Sequence, residues 1–346
     1  MVIFDDQVEV LLKAAQVSEQ YKAEARSKLT CIEARSNTAL HEGWLTGCRS
    51  IASNEAGSQG GFLSRCFLLT DGQANAGLTD PEQIASQAAD IHRNAGICTS
   101  TFGIGTHYNE GLLGPLAVAG SGQFHHLRNP REIETSFGGE LSELFNVVSR
   151  NIRIELEIGS IKAARIISQY WVHPAEEKQR LVVDVGDLIG DEERNLVVDL
   201  HFPKVAEGEK ITVRARLLRQ GNGSDYASTW EGLGFEGASS TACDEEIRDM
   251  HVMHWVGLHH SERAKKEALD LMREGDLAGS IRRLEGVIRR LSEYAAGDRD
   301  LLQSIADLKA LRKDLKHNAV DAECVRELSS TSIRMSRGQR DYRASK

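Results

Sequence analysis

The sequence predicts a chain that opens on a doubly wound, mostly parallel α/β sheet, continues as an antiparallel β region and ends in helices. Three patterns lead there. Up to about residue 153, apolar runs of strand length alternate with segments of helical composition, as in a parallel sheet covered on both faces. Between residues 154 and 243, short β-branched runs separated by glycine turns replace that alternation. From 244 to about 318, apolar residues recur at helical spacing among many charges.

The first region reads element by element. Val2–Phe4 and Val8–Leu12 flank Asp5-Asp6-Gln7 as a hairpin. Residues 18–34 are helical in composition, with Ser18 placed to cap, and residues 41–53 form a second helix. A strand follows, ending at Thr70. Thr79-Asp80-Pro81-Glu82 opens a helix with proline in its first turn, and Gly96 stops it. A strand over 97–104, a short helix over 111–119, a short strand over 123–127 and a last helix over 130–150 complete the region.

In the second region the runs 181–185, 196–200 and 211–215 are strands, separated by turns at Gly190-Asp191, Gly208-Glu209 and Gly221-Asn222-Gly223. An antiparallel β-sandwich or small barrel is expected, as a free unit or as an extension of the first. In the third, Ile281, Leu284, Ile288 and Leu291 share one helix face, as do Leu301, Ile305, Leu308 and Leu315. Gly275-Asp276 and Gly297-Asp298 break them, giving a helical hairpin or small bundle. Residues 319–346, rich in Ser and Arg from Ser329 onward, read as a disordered tail.

At 346 residues the chain is long for a single core, so several domains are expected. A formal charge of −9 (42 basic against 51 acidic residues) speaks against nucleic acid and anionic membranes, which repel an acidic surface. The 6 cysteines include no Cys-x-x-Cys pair, which excludes a zinc ribbon or RING and fits reduced thiols in a cytoplasm. No stretch approaches the roughly 20 apolar residues of a membrane helix. No secretion signal opens the sequence, so a cytoplasmic location is expected, conditional on Met1 being the true start.

The richest motif is Arg65–Gly72, RCFLLTDG. An apolar run ending at once in Thr70, Asp71 and Gly72 is how a buried parallel strand ends at a ligand crevice. Upstream, Ser36-Asn37-Thr38-Ala39-Leu40 leads into the helix that begins His41-Glu42-Gly43-Trp44. Downstream come Thr101-Phe102-Gly103-Ile104-Gly105 and Gly120-Ser121-Gly122-Gln123-Phe124. In this order, and with Phe4-Asp5-Asp6 as a strand-two ending, these segments resemble a von Willebrand factor type A domain. The whole layout is similar to bacterial multi-domain members that add a β domain and a helical C-terminus. The resemblance implies a metal-ion-dependent adhesion site holding Mg²⁺ or Mn²⁺ with hard oxygen ligands. Thr38 would be its loop threonine and Asp71 its later carboxylate, with Gly72, Gly105 and Thr106 lining the crevice that receives an acidic side chain of a protein partner.

The family's Asp-x-Ser-x-Ser run on the first strand has no counterpart before Thr38. An incomplete cage follows, together with a gap between the hairpin and the strand ending at Thr70. A truncated gene, a strand donated by another chain and a degenerate domain are the three explanations. Without the family, Thr38 reads as a helix N-cap and Asp71 as a carboxylate capping the next helix or holding the loop of Gly72.

Other constellations are weaker. Gly103-Ile104-Gly105 lacks the third glycine and the later acid of a dinucleotide loop and reads as a tight turn. His251, His254, His259 and His260 have metal-ligand spacing on a helix, without the acid of a His-Glu-x-x-His motif. His125-His126 lies on a short strand, and Asp5-Asp6 reads as a turn. Nucleophile elbow, Walker A and Ser-x-x-Lys motifs are absent from the sequence. The expected function is therefore a non-enzymatic protein-interaction module. A metal-dependent hydrolase built on helix 251–260 and a non-functional truncated remnant are the alternatives.

Overall fold

The computed structural model describes residues 1–33, 37–53, 63–173, 179–219, 225–317 and 320–339. They divide into two units, Met1–Phe145 and Asn146–Lys346. Ser36 and the Gly221-Asn222-Gly223 turn lie outside the described residues.

In the first unit, β1 (Val2–Phe4) and β2 (Val8–Val10) pair antiparallel with Phe4 opposite Val8. Asp5 closes their turn, its Oδ1 accepting the Gln7 N–H at 2.7 Å. Helix α1 (Glu19–Leu29) starts at Ser18, whose Oγ accepts the Tyr21 N–H at 3.1 Å; it buries no residue. Helix α2 (Leu40–Ala52) buries Leu40, Gly43, Trp44 and Cys48, one stripe at helical spacing. Any Cβ on Gly43 would overlap the Phe4 ring, so this glycine lets the hairpin sit against α2.

The strands β3 (Ser64–Thr70), β4 (Ile97–Ile104) and β5 (Ser121–Leu127) form a parallel sheet in that order. Between them run α3 (Pro81–Ala95) and α4 (Glu110–Ala119), and α5 (Glu132–Leu144) follows. Helix α3 has the caps its sequence announces: Asp80 accepts the Gln83 N–H, and Gly96 ends it at φ 65°. Side chains of β4 alternate between the helix layers. Thr99 accepts the Trp44 indole N–H from α2 at 3.2 Å, and Thr101 donates to the Leu113 carbonyl of α4 at 2.9 Å. On the other face Phe102 packs 4.5 Å from Phe137 of α5, centroid to centroid. Helices thus cover both faces. The hairpin and the parallel sheet are separate sheets among the described residues.

The helix expected over 130–150 stops at Leu144, and β6 (Val147–Glu157) begins three residues later. Ile152, Ile154 and Leu156 alternate with polar residues in β6 and pair with β9 (Arg180–Ile189), so the period-2 pattern overrides helical composition. The boundary expected at 153/154 falls inside β6.

The second unit holds β6, β7 (Ala163–Ile166), β8 (Trp171–His173), β9, β10 (Val198–His201), β11 (Lys210–Arg219), β12 (Tyr226–Ala227) and β13 (Glu231–Glu236). All pairings are antiparallel. One sheet has the order β12-β11-β6-β9-β8 with β13 also on β11; the other pairs β10 with β7. Ile152, Val183, Val185 and Ile211 meet Ile166, Val198 and Leu200 in a shared core, as two faces of a sandwich do.

Helices α6 (Ser240–Glu245), α7 (Met250–Arg273), α8 (Leu277–Ser292), α9 (Arg299–Lys316) and α10 (Ala322–Ser336) follow. Leu284, Ile288, Leu291, Leu301, Ile305, Leu308 and Leu315 build their core as the periodicity requires. Gly275 and Gly297 take φ 84° and 88° at the breaks. The tail needs correction. Residues 322–336, expected to be disordered, form α10 and bury Val325, Ile333 and four residues of the Ser/Arg-rich stretch, Ser330, Ser332, Arg334 and Ser336. Their polar groups are satisfied: Ser332 donates to the Glu262 carbonyl at 3.0 Å, and Ser336 accepts the Gln169 N–H at 2.9 Å. Arg337, only 1% exposed, lies over the Tyr170 ring.

Candidate functional site

The C-terminal ends of β3 and β4 lie side by side, Thr70 opposite Gly103. Beyond Thr70 the chain folds back on itself. The Thr70 hydroxyl accepts the Gly72 N–H at 3.2 Å and donates to the Gly72 carbonyl at 3.1 Å. Thr70 is buried by this, and Asp71 at the tip is exposed. Its carboxylate meets no hydrogen-bond or ionic partner among the described residues.

Thr38 arrives from the loop before α2. Asn75 clamps it: the Thr38 N–H donates to Asn75 Oδ1 at 2.8 Å, and the Asn75 N–H donates to the Thr38 carbonyl at 3.3 Å. The Thr38 hydroxyl then lies 3.3 Å from where a Cβ on Gly72 would be, which brings the threonine and aspartate segments together. Sequence reasoning missed Asn75, although an asparagine four residues past Asp71 is a residue type that binds backbone in turns. From the other side, the Ala39 N–H donates to the Asp5 carbonyl at 2.6 Å, tying the same loop to the hairpin.

The capping roles are filled by other residues. Helix α2 is capped by Ala39 without a side-chain bond, and α3 by Asp80. Gly105 has φ 69° and its N–H donates to the Leu127 carbonyl at 2.8 Å, a tight turn that leaves Thr106 exposed. A Cβ on Gly103 would overlap the Tyr108 ring, so this glycine serves packing and not a phosphate.

The oxygens of Thr38 and Asp71 are hard donors of the kind Mg²⁺ or Mn²⁺ selects, but two such groups do not make an octahedral shell. The residues present therefore do not fit a complete cation cage.

No family model matches the sequence. Over 226 residues the chain is 24% identical to Uncharacterized protein sll0103 of Synechocystis sp. (strain ATCC 27184 / PCC 6803 / Kazusa), covering 63% of this chain and 51% of that protein. It is 25% identical over 207 residues to Uncharacterized protein YfbK of Escherichia coli (strain K12), covering 57% and 34%. The chain thus matches about half the length of one curated relative and about a third of the other. Its structure is similar to that of von Willebrand factor type A from Catenulispora acidiphila, with a TM-score of 0.70 at 16% identity over 96% of this chain and 79% of that one. This chain has the von Willebrand factor type A fold. In this fold, Thr38, Asp71, Gly72, Gly105 and Thr106 all belong to segments at the C-terminal edge of the parallel sheet, the edge at which α/β sheets bind ligands.

The histidines do not converge. His125 Nε2 bonds Glu140 on one face of the sheet at 2.9 Å, while His126 Nδ1 bonds the Tyr108 hydroxyl at 2.8 Å. On α7, His251 is exposed, His259 is buried with Nδ1 3.4 Å from Ser336 Oγ, and His260 borders a cavity with Val287 and Tyr294. His254 Nδ1 lies 2.7 Å from Asp298 Oδ2, and with Asp300 these groups come within 4.8 Å of one another. The expected ligand set 251–260 is thereby spread around the helix. Asp298 has a structural duty, its Oδ1 accepting the N–H groups of Asp300 and Leu301 at the start of α9.

Proposed function

We propose that this type A protein is a non-enzymatic interaction module. Its crevice at the ends of β3 and β4 receives an acidic side chain of a protein partner. Thr38, Asp71, Gly72, Gly105 and Thr106 line it. One observation carries the reading: the Thr38 hydroxyl and the Asp71–Gly72 loop, far apart in sequence, are held together at the ligand edge by the Asn75 clamp. A carboxylate at that tip repels an acidic partner unless a cation lies between them. Mg²⁺ or Mn²⁺ would supply that bridge once an Asp-x-Ser-x-Ser strand, in this polypeptide or from another, completes the ligand set.

Isothermal titration with Mn²⁺ tests the assignment on the chain extended at its N-terminus by such a strand. Binding is expected in the extended chain, and Asp71→Ala or Thr38→Ala should weaken it at least about tenfold, the loss of one oxygen ligand. Mn²⁺ binding that survives Asp71→Ala would place the ion elsewhere and sink the reading.

A further inference from the structure

The face shared by α7 and α8 in the second unit carries a cavity of about 450 Å³. Its floor is apolar, with Val256, Leu291 and the Tyr294 ring, and its rim holds Arg248, Arg289 and Arg290. None of the three guanidinium groups pairs with a carboxylate among the described residues, and Glu293, also on the rim, pairs with none of them. Two of them act on the phenol: burial and the Glu293 charge raise the Tyr294 pKa while the charges of Arg248 and Arg290 pull it down. The cavity is therefore an apolar seat whose rim carries three guanidinium groups and one carboxylate, net positive in a chain of net charge −9. Such a seat suits an aliphatic side chain flanked by carboxylates.

The chain itself carries that ligand. Asp244, Glu245 and Glu246 are exposed and their carboxylates are unpaired among the described residues. Ile247, which follows them, is 93% exposed, more than any other large apolar side chain among the described residues. Ile247 adjoins Arg248 in the chain and leaves its own cavity unfilled. We propose that the segment Asp244–Ile247 of one copy docks in the arginine-rimmed cavity of a second copy. Ile247 takes the floor at Leu291 and Tyr294, and the carboxylates lie among Arg248, Arg289 and Arg290. Plug and seat are neighbours in sequence, so a two-fold axis lets each copy give one and receive one. Two such short contacts bury little area, so the association is weak and salt-sensitive.

Sedimentation velocity of the full chain at roughly 1 to 100 µM tests this, a range that covers weak dimers. The wild-type sedimentation coefficient should rise with concentration and fall back on raising salt. The double variants Arg289→Glu/Arg290→Glu and Glu245→Lys/Glu246→Lys should each remain monomeric, because all four side chains are exposed and their exchange leaves the fold intact. An equimolar mixture of the two should associate again, since both contacts regain opposite charges. A wild-type chain that stays monomeric overturns the proposal, whatever other acidic peptides it binds. So does association that either variant leaves unchanged, or a mixture that stays monomeric.

Discussion

At Gly43 a missing side chain holds two elements together. The Phe4 ring occupies the space a Cβ would take, so Gly43→Ala must displace the hairpin or bend α2. Overpacking of this kind costs about 1–3 kcal/mol, to be read by chemical denaturation with Trp44 fluorescence as the probe. Glu140 is the opposite case, a charge with no exposure. Its carboxylate pairs with Arg65, itself 7% exposed, and accepts a hydrogen bond from His125 Nε2 at 2.9 Å. Burial alone would raise its pKa, but the His125 bond and the Arg65 charge outweigh it and hold the carboxyl below its ordinary 4.5. A depressed folded pKa means stability that is full above the unfolded value and is lost as pH falls through the folded one. Acid denaturation of the first unit should therefore steepen below about pH 4.5 and flatten in Glu140→Gln. Glu140→Ala, which takes the carboxylate from the buried Arg65 pair, should cost on the order of 3–5 kcal/mol at neutral pH. Neither charge was singled out in the sequence, because a glutamate on α5 and an arginine at the start of β3, 75 positions apart, look like surface residues until the chain between them folds.

At the scale of elements, α10 shows how composition misleads. Serine and arginine usually mark solvated chain, yet here the Ser332 and Ser336 hydroxyls are buried and matched to partners on α7 and in the β region, while the buried Arg334 guanidinium bonds Thr331 of its own helix. His259 of α7 reports on this packing. Burial first, and the neighbouring His260 second, lower its pKa from 6.5 to about 4. With the unfolded His binding protons from pH 6.5 downward and the folded one only near 4, the second unit should lose stability as pH falls across that window. The loss is bounded at about 3 kcal/mol, and His259→Gln should shallow the slope in urea titrations between pH 7 and 4, the part left being that of His260 and the carboxylates. Deleting α10 at residue 320 should destabilise the unit by several kcal/mol, since the surface that buries Val325 and Ile333 is uncovered and the Glu262 carbonyl and Gln169 N–H lose the hydroxyls of Ser332 and Ser336. Unchanged urea midpoints for either variant would show α10 to be loosely attached.

On the scale of the whole molecule, two hydrophobic cores of the second unit, one under its sheets and one among its helices, lie wholly within residues 146–346. That fragment is expected to unfold cooperatively by itself, and a broad, sloping calorimetric transition would contradict it. The sequence alone determined the parallel strands, the cap at Ser18, the helix start at Asp80-Pro81, and the glycine breaks at 96, 275 and 297. Strand period, helix period and capping act over a few residues, so they can be read without knowing the fold. Those same short-range signals ordered the motifs that resemble a type A domain. Only the tertiary structure decided that Asn75 clamps Thr38, that Glu140 is buried with Arg65, that α10 packs, and that the histidines of α7 diverge. Each of these depends on residues dozens of positions apart meeting in space. Burial and pairing are properties of that meeting, and neither is written in the local pattern of either partner.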